Sequence, residues 1–313
     1  MEDSDMQIRT DLAMESSEIA QNPGGVTLRN IHHGSIEEVV VTIETDEAAQ
    51  ALEKARGTYI TLYHADLYHV DVADRKTMIH ALAEAVRSLL PEAGDVLVIG
   101  LGNRYMTADA LGSKTLEGLL VTRHMREITE DELQGKLRGV CAAAPGVLGV
   151  TGMETAEMVK GMAEHVRPAA IIAIDALAAR ESSRICTTIQ VTDTGIRPGS
   201  GVGNHRAGLT RETLGVPVIA IGVPMVVYAA VIARDALSLL LRDMGMGEEE
   251  HEQAVDSLIE KVARQGLGEM VVTPREVDAL VGKVARIIAD GLNLALQPAL
   301  SEEEIQLLSH DGP

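Results

Sequence analysis

The feature that most limits how this chain can fold is a set of short apolar runs recurring between segments of helical periodicity. Asp95–Gly100 (DVLVIG), Ala169–Ile174 (AAIIAI) and Pro217–Gly222 (PVIAIG) leave no polar face, so a strand made from any of them must be covered on both sides. Thr187–Val191 adds a further strand, and Ile36–Glu44 and Tyr59–Tyr63 give two earlier ones. Between them, Met78, Ile79, Leu82, Ala85, Val86 and Leu89 fall at helical spacing in a segment that Asp74 would cap and Pro91 would end. Glu154–His165, Ala229–Asp243, Glu248–Arg264 and Pro274–Asn293, the last behind a Thr273 cap, also read as helices. The pattern predicts an α/β fold: a mainly parallel sheet with helices on both faces. With five Tyr and neither Trp nor Phe, its core must be built from Ala, Val, Ile, Leu and Met. Residues 1–25 carry little pattern and end in the turn signal Asn22-Pro23-Gly24-Gly25. No internal repeat or domain boundary is read between residues 35 and 295.

Charge narrows the partners. The formal net charge of −20 repels phosphate backbones, so direct nucleic-acid binding is not expected. Residues 1–20 lack the apolar run of a secretory signal. The longest apolar stretch, Val216–Ile232, is broken by prolines and too short to span a bilayer. The chain is expected to stay off membranes and in the compartment where it is made. Cys141 and Cys186 lack metal-like spacing and read as small hydrophobes in a reducing cytoplasm.

In α/β sheets, function gathers at the carboxyl ends of the strands. Asp109 lies in the loop and helix start after the strand Asp95–Gly100, Asp175 follows Ala169–Ile174, and Asp193 follows Thr187–Val191. If these strands are neighbours, three carboxylates converge on one edge. Two carboxyls held close share a proton: one can activate a water while the other donates. An Asp at a strand end equally serves to cap the next helix or to bind loop amides.

Three other patterns carry less. Asp193-Thr194-Gly195 spells the triplet of pepsin-like proteases, but those are all-β and join two copies, whereas this α/β chain has one. The glycine-rich run Gly195–Gly203 lacks a P-loop lysine and does not lead straight from strand into helix, so no nucleotide cofactor is expected. His32, His33, His64 and His69, with Asp66 and Asp71 close by, match no recognised metal-ligand motif, and no metal is expected. His205, in the same loop, could touch a substrate. No serine sits in a nucleophile elbow, and neither cysteine has an evident His partner.

Longer blocks carry a resemblance. Val98–Asn103 followed by Thr107–Gly112, then Ile172–Arg180, then Asp193–Asn204 through Leu214–Pro224, and Ile8–Ala13 near the start, resemble in order the signatures and the processing site of the germination protease family. The resemblance implies a fold similar to hydrogenase-maturation peptidases and an atypical aspartic endopeptidase made as a zymogen. It implies Asp109 and Asp175 as the catalytic carboxylates, with Asp193 as a candidate supporting neighbour. It further implies cleavage after an acidic residue and before a hydrophobic residue and Ala, hence self-processing between Asp11 and Leu12. Residues 1–11 would be the pro-segment and 12–313 one peptidase domain. The implied substrates are the small acid-soluble spore proteins that coat DNA, degraded in germination. The implied setting is a homotetramer in the cytoplasm of the developing spore and in the spore core. Ala108 and Ser113 stand where the family commonly has Pro, and Tyr228 where an acidic residue is expected. Two alternatives stay open: a metal-dependent maturation-type peptidase using Asp109, Asp175 and a His, and an inactive binding module with the same fold.

Overall fold

The computed structural model describes residues 24–127, 135–179, 181–197, 207–243, 255 and 270–310. The expected pro-segment, the processing site Asp11-Leu12, Arg180, His205 and the glycine-rich run from Pro198 on lie outside the described residues. So does the expected helix Glu248–Arg264, apart from Val255.

Nine strands of the described residues form one sheet: β1 (Val26–His33), β2 (Ile36–Ile43), β3 (Gly57–Tyr63), β4 (Val96–Gly100), β5 (Val140–Ala143), β6 (Ala170–Ala179), β7 (Thr188–Thr192), β8 (Val218–Tyr228) and β9 (Val271–Val272). Their order is β1-β2-β3-β7-β8-β6-β4-β5, with β9 pairing beside the end of β8. The α/β class stands. The parallel part is β8, β6, β4 and β5, whereas β7 returns antiparallel along β8 and β1 to β3 continue in antiparallel pairs. The sheet is therefore mixed.

Strand lengths explain the reversal. β6 runs to Ala179 rather than ending at Ile174, so only residues 180–187 separate it from β7. Eight residues are too few for the crossover of a dozen or more that a parallel neighbour needs. β8 likewise continues past Gly222 to Tyr228. The two long strands stay paired through a register shift between Leu177 and Ala178, beside Pro224, which has no N–H to give the ladder. β1 shows no apolar alternation because nearly all its side chains are exposed, which hides it in the sequence.

Nine helices of the described residues surround the sheet: α1 (Asp46–Ala51), α2 (Val72–Leu89), α3 (Leu111–Leu116), α4 (Leu148–Thr151), α5 (Thr155–Val166), α6 (Arg211–Leu214), α7 (Ala229–Asp243), α8 (Val277–Leu296) and α9 (Glu302–His310). The cap of α2 is Asp71, whose carboxylate accepts from Asp74 N–H at 2.8 Å, not Asp74 itself. On one face, Met78, Leu82 and Val86 of α2 and Val284 and Ile288 of α8 bury Ile172, Ile174, Ile219 and Ile221. Each such side chain contributes about 1.5–3 kcal/mol by leaving water. On the other face, Val159 and Ala163 of α5 cover Leu97, Ile99, Ile171 and Ala173. Leu177 packs there with Val39, Val41 and Tyr59 from the antiparallel half.

Helix α8 also holds the chain that follows α3. Asn293 Oδ1 accepts from Leu120 N–H at 2.8 Å, and Asn293 Nδ2 donates to Gly118 O at 2.9 Å. One turn on, Gln297 receives Arg138 N–H and donates to Arg138 O, both at 3.0 Å. Asn293→Ala strands two backbone groups around a buried side chain. It should cost about 2–4 kcal/mol of stability, read as a lower denaturation midpoint with an unchanged slope.

Candidate active site

Strand β4 is buried throughout and leaves the sheet at Leu101. There Leu101 N–H donates to Ile174 O at 2.8 Å, which ties the β4 exit to β6 immediately before Asp175. Gly102 follows with φ +88°, and the chain doubles back through a 3₁₀ turn, Thr107–Asp109. Asp109 is half-buried, and its Oδ2 accepts from Asn103 N–H at 2.7 Å. The turn packs against β6, β8 and α8, which sets Asp109 over the carboxyl ends of the parallel strands. Gly102 makes this approach possible. A Cβ there would lie 2.0 Å from Asp109 O and 2.9 Å from Asp109 Oδ1.

Asp175 lies within β6, not after it, and is only 6 % exposed. Its Oδ1 accepts from Ala176 N–H at 2.9 Å. Across the sheet it is level with Gly222 of β8, and Gly222 is level with Gln190 of β7 and so with Thr61 of β3. Paired residues share a face. Asp175, Gln190 and Thr61 therefore form a polar row, broken only where Leu177 leans over Gly222. Gln190 is 6 % exposed, and Thr61 Oγ1 is buried with no hydrogen-bond partner among the described residues. This row escapes the sequence reading. Its one signal is the Gln inside the otherwise β-branched and Thr-rich Thr188–Thr192.

Asp193 does not join the other two carboxylates. Because β7 runs opposite to β8, its carboxyl end meets the start of β3, three residues below the level of Gln190, or about 10 Å at 3.3 Å per residue. There Asp193 is exposed, and its Oδ1 accepts from Thr58 N–H at 2.8 Å. This is the loop-amide role open to any Asp at a strand end. The histidines pair off separately: His33 with Glu38 at 2.8 Å, His64 with Asp74 at 3.5 Å, and His69 with Asp66 at 2.7 Å. Among the described residues no three His, Cys, Asp or Glu side chains converge as metal ligands. Cys186 is buried against Met225, and burial pushes its thiol up to about 12; Cys141 is half-buried and raised for the same reason.

A second feature of this edge is a cleft of about 510 Å³ on the β5 side of Asp109, lined by Arg104, Lys114, Glu117 and Ala142 among others. Neither cation is distinguishable in the sequence, since an isolated Arg and Lys in a charged chain give no signal.

Comparison with known proteins decides the family. The germination protease family model matches residues 1–268 of this chain. The chain belongs to the germination protease family. A germination protease of Clostridium tetani is 41 % identical over 318 residues, spanning 96 % of this chain and 98 % of its own. That of Caldanaerobacter subterraneus subsp. tengcongensis is 42 % identical, spanning 97 % and 98 %. That of Bacillus subtilis is 37 % identical over 357 residues, spanning 97 % of each. Among solved structures, a [NiFe] hydrogenase maturation protease, HycI, from Thermococcus kodakarensis aligns with 57 % of this chain and 96 % of its own. The identity is 16 % and the TM-score 0.28, too low to bear on the site.

As a member of this family, the chain is a peptidase, a hydrolase of the peptide bond. Among its described residues no helix is long and apolar enough to cross a membrane. Tyr228 sits six residues beyond Gly222 along β8, paired with Val271, about 20 Å from the level of Asp175. Ala108 lies in the Asp109 turn, and Ser113 Oγ donates to Ala110 O at 3.0 Å.

Proposed function

We propose that this chain is a zymogen endopeptidase that starts degradation of the small acid-soluble, DNA-coating spore proteins during germination, using water activated by Asp109 and Asp175. The observation that supports this most is their placement. A half-buried and a buried carboxyl occupy one sheet edge, on segments joined by the Leu101 N–H to Ile174 O bond. The ionised member of the pair removes a proton from a water, whose oxygen attacks the scissile carbonyl carbon. The protonated member donates a hydrogen bond to the carbonyl oxygen as negative charge develops on it. Collapse of the tetrahedral intermediate passes a proton to the amide nitrogen, and the amine leaves. The pair titrates as a unit, so the two roles belong to the dyad.

Cleavage falls after an acidic residue and before a hydrophobic residue and Ala. The site of action is the cytoplasm of the developing spore and the spore core, and the working form is a homotetramer of chains that have lost residues 1–11. Digestion of a purified small acid-soluble spore protein, with and without chelator, tests the reading. Cuts after acidic residues that survive chelator are expected. Absence of cleavage, or dependence on added metal, refutes it.

The same specificity predicts self-processing. Asp11-Leu12-Ala13 fits the pattern, while Glu15-Ser16 offers no hydrophobic residue after the acid. Intact-mass spectrometry of protein held under mildly acidic conditions should show one main product beginning at Leu12. A product beginning elsewhere, or ragged trimming, overturns the assignment.

A further inference from the structure

We propose that the cleft beside Asp109 is the subsite for the acidic substrate side chain preceding the scissile bond, with Arg104 and Lys114 as its specificity-determining cations; the proposal rests on the peptidase reading above. The cleft, of about 510 Å³, is lined by Arg104, Ser113, Lys114, Glu117 and the small residues Ala142 and Ala144. Arg104 directly follows Asn103, whose N–H holds the Asp109 carboxylate, and Lys114 is in the last turn of the short helix α3, five residues past Asp109. Ala142 and Ala143 are level with Val98 and Ile99 of β4, which puts the cleft at the carboxyl end of β5, on the edge that carries Asp109 and Asp175.

Charge makes this cleft distinctive. Among the described residues two cations and one acid line it, in a chain whose formal net charge is −20. Among the described residues neither Arg104 nor Lys114 has a side-chain ion pair, and Ser113 Oγ is already turned to Ala110 O. An acidic substrate repelled by most of the surface would meet local attraction at this point. Arg can grip a carboxylate with two parallel N–H donors while Lys adds a point charge, and the alanine floor leaves room for a Glu or Asp side chain. A polyphosphate or nucleic acid backbone suits the place poorly, because the surrounding field opposes an extended polyanion.

The test uses the working form, produced directly as residues 12–313, and two synthetic peptides covering residues 4–18, one native and one carrying Asp11→Asn. The ratio of kcat/KM for the two peptides is measured for wild type, Arg104→Ala, Lys114→Met and the double variant Arg104→Glu/Lys114→Glu. Wild type should favour the native peptide. Each single variant should lower that preference by about threefold to tenfold, and the double variant should abolish or invert it. Arg104 is exposed and Lys114→Met keeps the aliphatic stem, so folded protein is expected; melting curves check it. If peptides are cut and every variant keeps the wild-type preference, the cleft assignment is wrong and the peptidase reading stands. If wild type cuts neither peptide nor spore protein, the peptidase reading fails and takes the cleft with it.

Discussion

Asp109→Asn and Asp175→Asn should each fold normally and lose turnover by about a thousandfold or more, because each removes one of the two proton-transfer roles. Amide replaces carboxyl with nearly the same shape, so packing around the buried Asp175 and the Asn103 N–H contact of Asp109 is largely preserved. Neither variant should process its own N-terminus or cut spore protein. Since the pair works as a unit, the double variant should be scarcely worse than either single one. Asp193→Asn provides the contrast. Its carboxylate serves Thr58 N–H on the far edge, so turnover should stay near wild type, with about 0.5–1.5 kcal/mol lost from stability. Steady-state kinetics with matched thermal melts decide the matter. Near-normal turnover in either dyad variant, or a silent Asp193→Asn enzyme, would falsify the assignment.

Gly102→Ala is the second large effect. The residue has φ +88°, where an L side chain is strained, and its Cβ would meet the backbone oxygen of Asp109 at 2.0 Å. Backbone cannot swing aside as a flexible side chain can, so the Thr107–Asp109 turn must move. Stability should fall by about 2–4 kcal/mol. A carboxylate displaced by about 1 Å should cost turnover about a hundredfold. Gly149→Ala is the control, because its Cβ would meet nothing within 4 Å. Full activity of Gly102→Ala at a temperature where it is folded would show that the turn does not set the position of Asp109.

The parallel half of the fold is legible in the sequence because its strands are buried on both faces and its helices keep a 3.6-residue period. Strand direction is not legible in the same way, since apolar content is identical in either sense. Asp193 shows the consequence. With β6 taken to end at Ile174, the link to β7 is long enough for a crossover, and three carboxylates fall on one edge. With β6 running to Ala179 the link is too short, β7 turns back, and Asp193 goes to the opposite edge. The placement of Asp109 and Asp175 at one edge is legible because each ends or follows an unmistakable apolar run. Gln190 and Thr61 were hidden because a polar residue in a β-branched strand looks the same whether it faces water or a row of buried polar groups. Arg104 and Lys114 share a cleft only because α3 and β5 enclose a common space, which the sequence does not display.

Helix α8 packs against the turn that carries Asp109, and its Asn293 grips backbone 173 and 175 residues earlier in the chain. During synthesis, the loop bearing Asp109 therefore leaves the ribosome well before the helix that must hold it. At roughly 5–20 residues per second that interval is on the order of 10–35 s. Throughout it the nascent chain carries both Asp109 and, later, Asp175 without the scaffold that fixes them. A prematurely ended product lacking α8 would leave Ile172, Ile174, Ile219 and Ile221 partly uncovered. Such fragments should be inert as peptidases and ready substrates for the cell's quality-control proteases, which makes α8 a checkpoint that only a chain grown past residue 296 can pass.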